Sequence, residues 1–382
     1  MTMRRSNVGA SRVLLLVGMA AVLRSASPAL AQEIRHSSAL VFDRVGHVRE
    51  LPDGTLLVTE SLARLLYAVS PQGVRKQIGR TGDGPGEYRS PGRLIVLDSL
   101  ASILVDNNNR RWSYLQRASF VPVPNGLREA NLRVHGVLGG VSLGGRALDV
   151  RGHGPLARLP FPNPNRAHPV SRDSVAFVLY EGRERADTIA LGLTHRFGAA
   201  VKRLNIKGVP DQYNAMHPLA TFDQAVLFSD GTVALARVKP YRVDWRRANG
   251  AWIVGKAVGD ATPAVTANMR RELSRAVSTY GDEIPVFDAS DFPIWPDRVP
   301  PFTSHSVHAG PDGRVYVVRT WIGGTIPRQV DVFDRQRGRV GSLSIPPGAR
   351  LVGIGQRALF VALPLETGEE ELLRVSIPSF GR

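Results

Sequence analysis

The chain has 382 residues, a formal net charge of +16 and no cysteine. The missing cysteines exclude structural disulfides and a lipidated N-terminal cysteine. A strongly basic balance favours solubility and attraction to anionic surfaces, and it carries no information on the fold. Genome composition explains the bias toward arginine over lysine at least as well as selection for an anionic partner does.

The first 31 residues have the composition of an export signal. Arg4, Arg5 and Arg12 precede an apolar run over 13–23, and Ala29-Leu-Ala31 offers a small-x-small cleavage site. The run is too short to span a bilayer, and no later stretch is long enough. We therefore predict a signal peptide over residues 1–31, with general secretion favoured over the twin-arginine route. The mature protein is expected in a bacterial periplasm or outside the cell, with no transmembrane segment and no nucleic-acid partner.

A short alternating strand, a tight turn and a second alternating strand recur over residues 32–382. The turns are Pro52-Asp-Gly54, Asp98-Ser99, Gly144-Gly145, Asp230-Gly231, Asp312-Gly313 and Gly355-Gln356. Asp-Gly and Gly-Gly between alternating apolar runs indicate hairpins, because these turns need positive φ. Where no insertion intervenes, successive turns lie 45, 46 and 43 residues apart. A period in the low forties with four short strands per unit is typical of a propeller blade.

The fold class predicted from this repeat is all-β, a six-bladed β-propeller. The blades are expected at about 48–79, 93–124, 132–194, 222–258, 303–345 and 350–377. Seven blades are the alternative, because the third unit has room for an extra one. Ser38 to Phe42 is expected to complete the last blade and close the ring, which hides sheet edges. We expect a monomer.

Two insertions interrupt the repeat, at 195–221 and 259–302. The second contains apolar residues at helical spacing, which predict a helix near 262–281 that begins at Thr262-Pro263. An aromatic and proline-rich strap follows. The insertion is either packed on the ring or forms a lid or binding edge. Trp295 and Phe302 are its candidates for stacking on a sugar.

One loop carries a more specific signal. Gly79-Arg-Thr-Gly-Asp-Gly-Pro-Gly-Glu-Tyr-Arg-Ser-Pro91 precedes the first strand of the second unit, and Ile103-Leu-Val-Asp-Asn-Asn-Asn-Arg-Arg111 follows in the same unit. Both resemble motifs of bacterial NHL-like six-bladed β-propeller proteins, in which such a loop joins one blade to the next. The resemblance implies a fold more firmly than an activity. The loop is not a phosphate-binding loop, because Pro85 lacks an amide and no Lys-Ser/Thr pair follows.

The repeat places several charged residues on one rim of the ring. They follow the second strand of successive blades: Glu60, Asp106, Arg151 with His153, Arg237 with Lys239, Arg319 with Trp321, and Glu366. This rim is acidic on blades 6, 1 and 2 and basic on blades 3, 4 and 5. A peptide, a protein partner or an anionic glycan would suit it as a ligand. Solvated loop charge is the alternative explanation.

Catalytic and metal signals are weak. Asp106 and Asn107 to Asn109 offer oxygen ligands for calcium, but too few for a complete site. Glu60 and Asp106 would have to converge on the axis for a metal-dependent hydrolase or lyase. His305 and His308 are expected on opposite faces of a strand, which makes a poor metal pair. No nucleophile motif is recognisable, so the sequence predicts an exported binding module, and the axial metal enzyme is the alternative.

Overall fold

The computed structural model describes residues 34–35, 40–106, 111–124, 138–142, 146–152, 174–181, 185–195, 199–206, 209–259, 262–277, 287–322 and 328–380. The predicted signal peptide lies outside these residues and stays a prediction. No helix among the described residues is long and apolar enough to cross a membrane.

Six antiparallel sheets, each built mostly from consecutive strands, make up the ring in the described part of the chain. The strands of blades 1 to 3, from the axis outward, are Val45–Glu50, Leu56–Glu60, Leu65–Val69 and Arg75–Gln77; Pro91–Val96, Ala101–Asp106, Arg111–Gln116 and Ser119–Phe120; Leu138–Val141, Arg146–Gly152, Ser174–Glu181 and Arg185–His195. Those of blades 4 to 6 are Gln224–Leu227, Val233–Arg237, Arg242–Arg246 and Trp252–Ile253; Val307–Ala309, Val315–Val318, Arg328–Asp334 and Gly338–Ile345; Arg350–Ile354, Ala358–Pro364 and Glu370–Ser376.

The fold is therefore the predicted six-bladed β-propeller. The two strands that left room for a seventh blade, Ser174–Glu181 and Arg185–His195, are the outer strands of blade 3. Two short strands from the start of the chain, Ile34–Arg35 and Val41–Phe42, pair with Glu370–Ser376 of blade 6. The ring is thus closed by residues from both ends of residues 32–382, so the last blade has no bare outer edge there.

Six hydrophobic clusters join neighbouring blades in pairs around the ring. Strand alternation produces them, because successive side chains point to opposite faces of a sheet. Leu57 packs toward blade 2 and its neighbour Val58 packs toward blade 6, and both are fully buried. Each blade therefore contributes one face to each of two interfaces.

The crossing from blade 1 to blade 2 is held by side chains of its own loop. Tyr88 is fully buried, and its hydroxyl donates to the Ile78 carbonyl at 2.9 Å and accepts from the Leu66 amide at 3.1 Å. The backbone of Gly79 has a φ of +68°, and a Cβ there would lie 2.5 Å from the Gly86 carbonyl oxygen. Glycine is therefore required at position 79 both by backbone conformation and by space.

The insertion at 259–302 contains the α-helix of the described residues, α1 (Ala267–Val277). The predicted helix near 262–281 is present, but it begins later than Thr262-Pro263 indicated. Val265 donates to the Asp297 carbonyl and Val299 donates to the Pro263 carbonyl, which keeps residues 263–265 extended against the strap. The Thr266 hydroxyl accepts from the Met269 amide at 3.2 Å, so Thr266 caps the helix.

The remaining elements lie outside the blades. Ala199–Ile206 and Val209–Met216 form a hairpin in the first insertion, and Thr221–Phe222 pairs with the end of Arg185–His195. A 3₁₀ turn spans Ala289–Asp291, and Arg80–Thr81 pairs with Glu87–Tyr88 in the crossing loop.

Candidate functional site

The predicted acidic rim residues are engaged within the ring. Glu60 is 5% exposed and accepts from the Asp43 amide at 2.7 Å. Asp106 is fully buried and accepts from the Arg89 and Ser90 amides at 3.1 and 2.9 Å. These carboxylates hold the chain where it enters a blade, and neither is among the described residues that line the axial cavities. The structure does not bring them together at the axis.

The basic rim residues of blades 4 and 5 form internal ion pairs. Arg237 lies 3.0 Å from Asp223 and 3.1 Å from Asp244. Arg319 pairs with the buried Asp331 at 3.0 Å. Four hydrogen bonds reach Asp244 from Arg242, Arg237 and the Gly255 amide, and they lower its pKa even though burial alone would raise it. Both arginines therefore stabilise the ring.

The other predicted rim residues are partly outside the described structure. Lys239 and Glu366 are exposed, and Trp321 is half-buried with the Arg328 guanidinium 5.9 Å from its ring centre. Arg151 lies in the second strand of blade 3, and its side chain is outside the described part of the structure. His153 also falls outside the described residues.

The strap aromatics are used in packing. Phe302 is fully buried and its ring centre lies 5.8 Å from that of Tyr241. Trp295 stacks edge-on against His217 at 4.6 Å, and its indole donates to the Ala289 carbonyl at 3.0 Å. These contacts favour the interpretation of the insertion as a packed element, with Phe302 fully buried and Trp295 half-buried.

Two cavities follow one another along the axis of the ring. The upper cavity, about 610 Å³, opens among the crossings into the blades, at 90–92 and 303–306. The lower cavity, about 880 Å³, opens among the turns between first and second strands, such as 310–313. His47, Arg93 and His308 line both cavities. We call these three residues the waist of the channel.

The first strands of the blades position the waist. His47, Arg93 and His308 lie on the first strands of blades 1, 2 and 5. In blades 1 and 2 this strand has one residue more than its partner, a bulge, next to Gly46 and within 91–94. A Cβ at Gly46 would lie 2.7 Å from the Thr59 hydroxyl, so the bulge needs glycine there. Bulges re-aim the side chains beside them, which here are His47 and Arg93.

Burial lowers the pKa values of all three waist residues, and repulsion between neighbouring positive charges lowers those of the two histidines further. Burial, the Arg93 guanidinium and His308 together lower the pKa of His47 to about 3. Burial, Arg93 and His305 lower the pKa of His308 to about 3. Burial also lowers the pKa of Arg93, but a guanidinium keeps its proton at neutral pH. The waist at neutral pH is one cation flanked by two neutral imidazoles.

His305 belongs to the same site. The expectation that it lies on a strand, on the face opposite His308, was wrong. The strand begins only at Val307, and His305 precedes it with a φ of +60°. Both His305 and His308 therefore line the upper cavity, although strict alternation would have separated them. The side chain of His305 is exposed, yet partial desolvation and the Arg93 guanidinium lower its pKa as well.

The two cavities differ in their charge. No Asp or Glu occurs among the described residues that line the upper cavity, where Arg328 and Arg350 accompany the waist, and Arg350 pairs with Glu370 at 2.8 Å. The lower cavity holds four aspartates, Asp98, Asp230, Asp312 and Asp334. Each accepts a hydrogen bond from a backbone amide of its own turn. Three of them also pair with arginines, which balances the charge at that end.

The described residues add no metal-binding group to the candidates named from the sequence. Within the described ranges, no group of three or more His, Asp or Glu side chains is placed to hold a metal ion. Asn107 to Asn109, the oxygen donors proposed with Asp106 for calcium, lie outside those ranges.

The waist could have been suspected from the sequence. Val45-Gly-His-Val48 and Pro91-Gly-Arg-Leu94 place a basic residue directly after a glycine in the first strand of two successive blades. Superimposing the repeats on their first strands, rather than on the ends of their second strands, would have aligned His47 with Arg93.

Comparison with protein-family models and with curated proteins found no match. Among solved structures, the chain is similar to a Bacteroides fragilis protein proposed to be exported (TM-score 0.42, 12% identity, 91% of this chain and 94% of that chain). It is also similar to virginiamycin B lyase from Staphylococcus aureus (0.38, 10%, 88% and 96%). A third is regucalcin, a calcium-binding protein from Agrobacterium tumefaciens (0.37, 11%, 92% and 95%). No ligand or reaction is transferred at such identities. The strand pairing and the six interblade clusters themselves identify the chain as a six-bladed β-propeller.

Proposed function

We propose that this protein is an exported binding module of the NHL-like type that takes an anionic ligand into its upper axial cavity. The observation that carries the proposal is the waist. Arg93, with His47 and His308, lies at the inner end of a cavity lined by no acidic residue of the described chain. We therefore place the ligand in this basic channel and no longer on the basic side of the predicted rim.

Arginine suits this role chemically. Its planar guanidinium can donate two parallel hydrogen bonds to a carboxylate, and such charge-assisted bonds are about twice as strong as neutral ones. A neutral imidazole has one N–H to donate, so His47 and His308 can add donors without adding charge. The Nδ1 atom of His47 is buried and has no hydrogen-bond partner among the described residues, so it can bond a ligand or water. Low-dielectric walls strengthen the attraction.

Binding is tested by thermal unfolding with citrate and D-galacturonate, and with D-galactose as the uncharged match. A ligand at 100 times its Kd stabilises the folded state by about 2.7 kcal/mol. We expect stabilisation by the two acids, and its loss in Arg93→Gln. Arg247→Gln is the matched control, because Arg247 is exposed on an outer turn of blade 4. Equal response of Arg93→Gln and the wild type would overturn the proposal.

The alternative is a metal-dependent hydrolase or lyase at the axis. Its predicted ligands, Glu60 and Asp106, accept backbone hydrogen bonds at strand ends instead, and the four aspartates of the lower cavity form no metal-holding group within the described residues. Metal analysis of the purified protein distinguishes the two. A stoichiometric divalent metal, calcium included, that is lost on substitution of either carboxylate would favour the enzyme.

Export is part of the proposal and is tested separately. N-terminal sequencing of the protein recovered from the periplasm or medium is expected to start at Gln32. A chain that keeps residues 1–31 and stays in the cytoplasm would contradict it.

A further inference from the structure

The lower cavity lies at the other end of the channel from the proposed anion site, and its chemistry is different. It encloses about 880 Å³, within the range of small-molecule sites, and more of its wall is polar than apolar. Described residues of blades 1, 2, 4, 5 and 6 line it. A ligand held there would therefore be surrounded by polar groups from most of the ring.

The aspartates of the lower cavity are engaged with the protein itself. Three of the four pair with arginines, as in Asp230 with Arg335 at 2.7 Å. The fourth, Asp98, accepts from the Leu100 and Ala101 amides at 2.7 and 2.6 Å. A cation would have to compete with these bonds, so the cavity suits a neutral ligand better than a charged one.

Four neutral polar side chains line the same cavity and are not engaged in this way. They are Ser99 of blade 2, Ser229 of blade 4, Gln336 of blade 5 and Gln356 of blade 6. Within the described part of the chain, none of these hydroxyl and amide groups forms a side-chain hydrogen bond. Each can both donate and accept, as a sugar hydroxyl does. The cavity thus offers the mixed, uncharged bonding groups that a sugar needs.

Two apolar side chains complete the match to a sugar. Val96 is 37% exposed, although its strand neighbours Ile95 and Leu97 are buried, and it lines the lower cavity. Pro311 is exposed on the cavity wall in blade 5. A sugar ring has C–H faces as well as a hydroxyl edge, and these two side chains can cover such faces.

The bonding groups are held apart by a rigid mouth. Arg49 of blade 1 donates to the Asp98 carbonyl at 2.5 Å, which fixes the turn that carries Ser99. The turn that carries Gln336 is tied to blade 4 through the neighbouring Arg335. Blades 2 and 5 lie opposite one another in a six-bladed ring. A ligand that bonds both Ser99 and Gln336 has to span the cavity, which favours two linked sugar rings over one.

We propose that the lower cavity binds a neutral disaccharide. Its hydroxyls bond Ser99 and Gln336 on opposite sides, and its C–H faces pack on Val96 and Pro311. The inference goes beyond the proposed function and does not depend on it, because none of these residues belongs to the waist.

Titration calorimetry with trehalose, sucrose, maltose, cellobiose and lactose tests it, with D-galactose as the single-ring match. We expect at least one of these disaccharides to bind, and D-galactose to bind at least ~10-fold more weakly. Gln336→Ala should lower the affinity roughly 2- to 10-fold through the loss of one hydrogen bond. Gln72→Ala should leave it unchanged, because Gln72 is exposed in the corresponding turn of blade 1 and is not part of the described lining.

A second variant tests the place of binding. Ser229→Trp puts a bulky side chain into the cavity and should abolish binding of the disaccharide. Lack of binding by every disaccharide named would overturn the inference, as would a wild-type affinity in both Gln336→Ala and Ser229→Trp. Neither result bears on the stabilisation by citrate that depends on Arg93, so the two proposals fail separately. Circular dichroism and the unfolding midpoint of each variant confirm that the ring is folded.

Discussion

The neutral histidines of the waist predict how stability depends on pH. His47 and His308 are half-buried in the channel, and desolvation there, beside Arg93 and the other histidines, lowers their folded pKa values to about 3. In the unfolded chain each should titrate near 6.5. The unfolded state therefore binds more protons between these values, and stability falls as the pH drops through about 6.5 toward 3.

The size of the effect follows from the two pKa values. Lowering the pH from 7.5 to 5 should cost about 2 kcal/mol of unfolding free energy for each histidine. His217, with a pKa lowered to about 4 by burial, adds a similar loss in the insertion. Carboxylates with lowered pKa values, such as Asp244, lose their contribution only below their ordinary value near 3.8, so they do not act in this window.

Urea unfolding at pH 7.5, 6.5, 5.5 and 5.0 measures the loss. His47→Gln and His308→Gln should each remove about 2 kcal/mol of it, while Arg247→Gln should keep the full pH dependence. Imidazole proton shifts in NMR spectra should show His47 and His308 unprotonated at pH 5. A stability that stays flat from pH 7.5 to 5, or a His47→Gln variant with the full wild-type loss, would refute the reasoning.

Three further predictions concern the loop, the blade entry and the metal. Tyr88→Phe removes two buried hydrogen bonds and should destabilise the ring by about 1–3 kcal/mol in urea unfolding, whereas Tyr114→Phe, half-buried on blade 2, should change little. Asp106→Ala leaves two amides of the crossing unpaired and should cost about 2–4 kcal/mol; an unchanged midpoint would show that water replaces the carboxylate. Removal of metal by chelation should leave binding of citrate unchanged in calorimetry, and a loss would favour the metal-dependent alternative.

The architecture could be predicted because its signals are local. A hairpin needs a turn with positive φ between alternating strands, and Gly54, Gly231 and Gly313 each have φ near +80°. Six hairpins, 43 to 46 residues apart where no insertion intervenes, imply six blades, because each blade must bury both faces against a neighbour. The predicted start of α1 was wrong because it depends on contacts that are distant in the sequence. Its true position depends on pairing with the strap more than 30 residues later.

The site could not be predicted from the ends of the second strands, because charge there has a structural use. Asp106 and Glu60 occupy the positions where a carboxylate can accept amides of the chain entering a blade, and Arg237 pairs with Asp223 at another such entry. Charge at these positions therefore follows from the fold and says little about a ligand.

Charge on the first strands has a different explanation. These strands line the axial cavities, and a cation there gains no packing that an aliphatic side chain would not give better. Arg93 is half-buried, desolvation lowers its own pKa, and it lowers the pKa values of His47, His305 and His308. Since perturbed groups that converge in a cavity are more often functional than structural, the waist is the part of this propeller where a ligand is most to be expected.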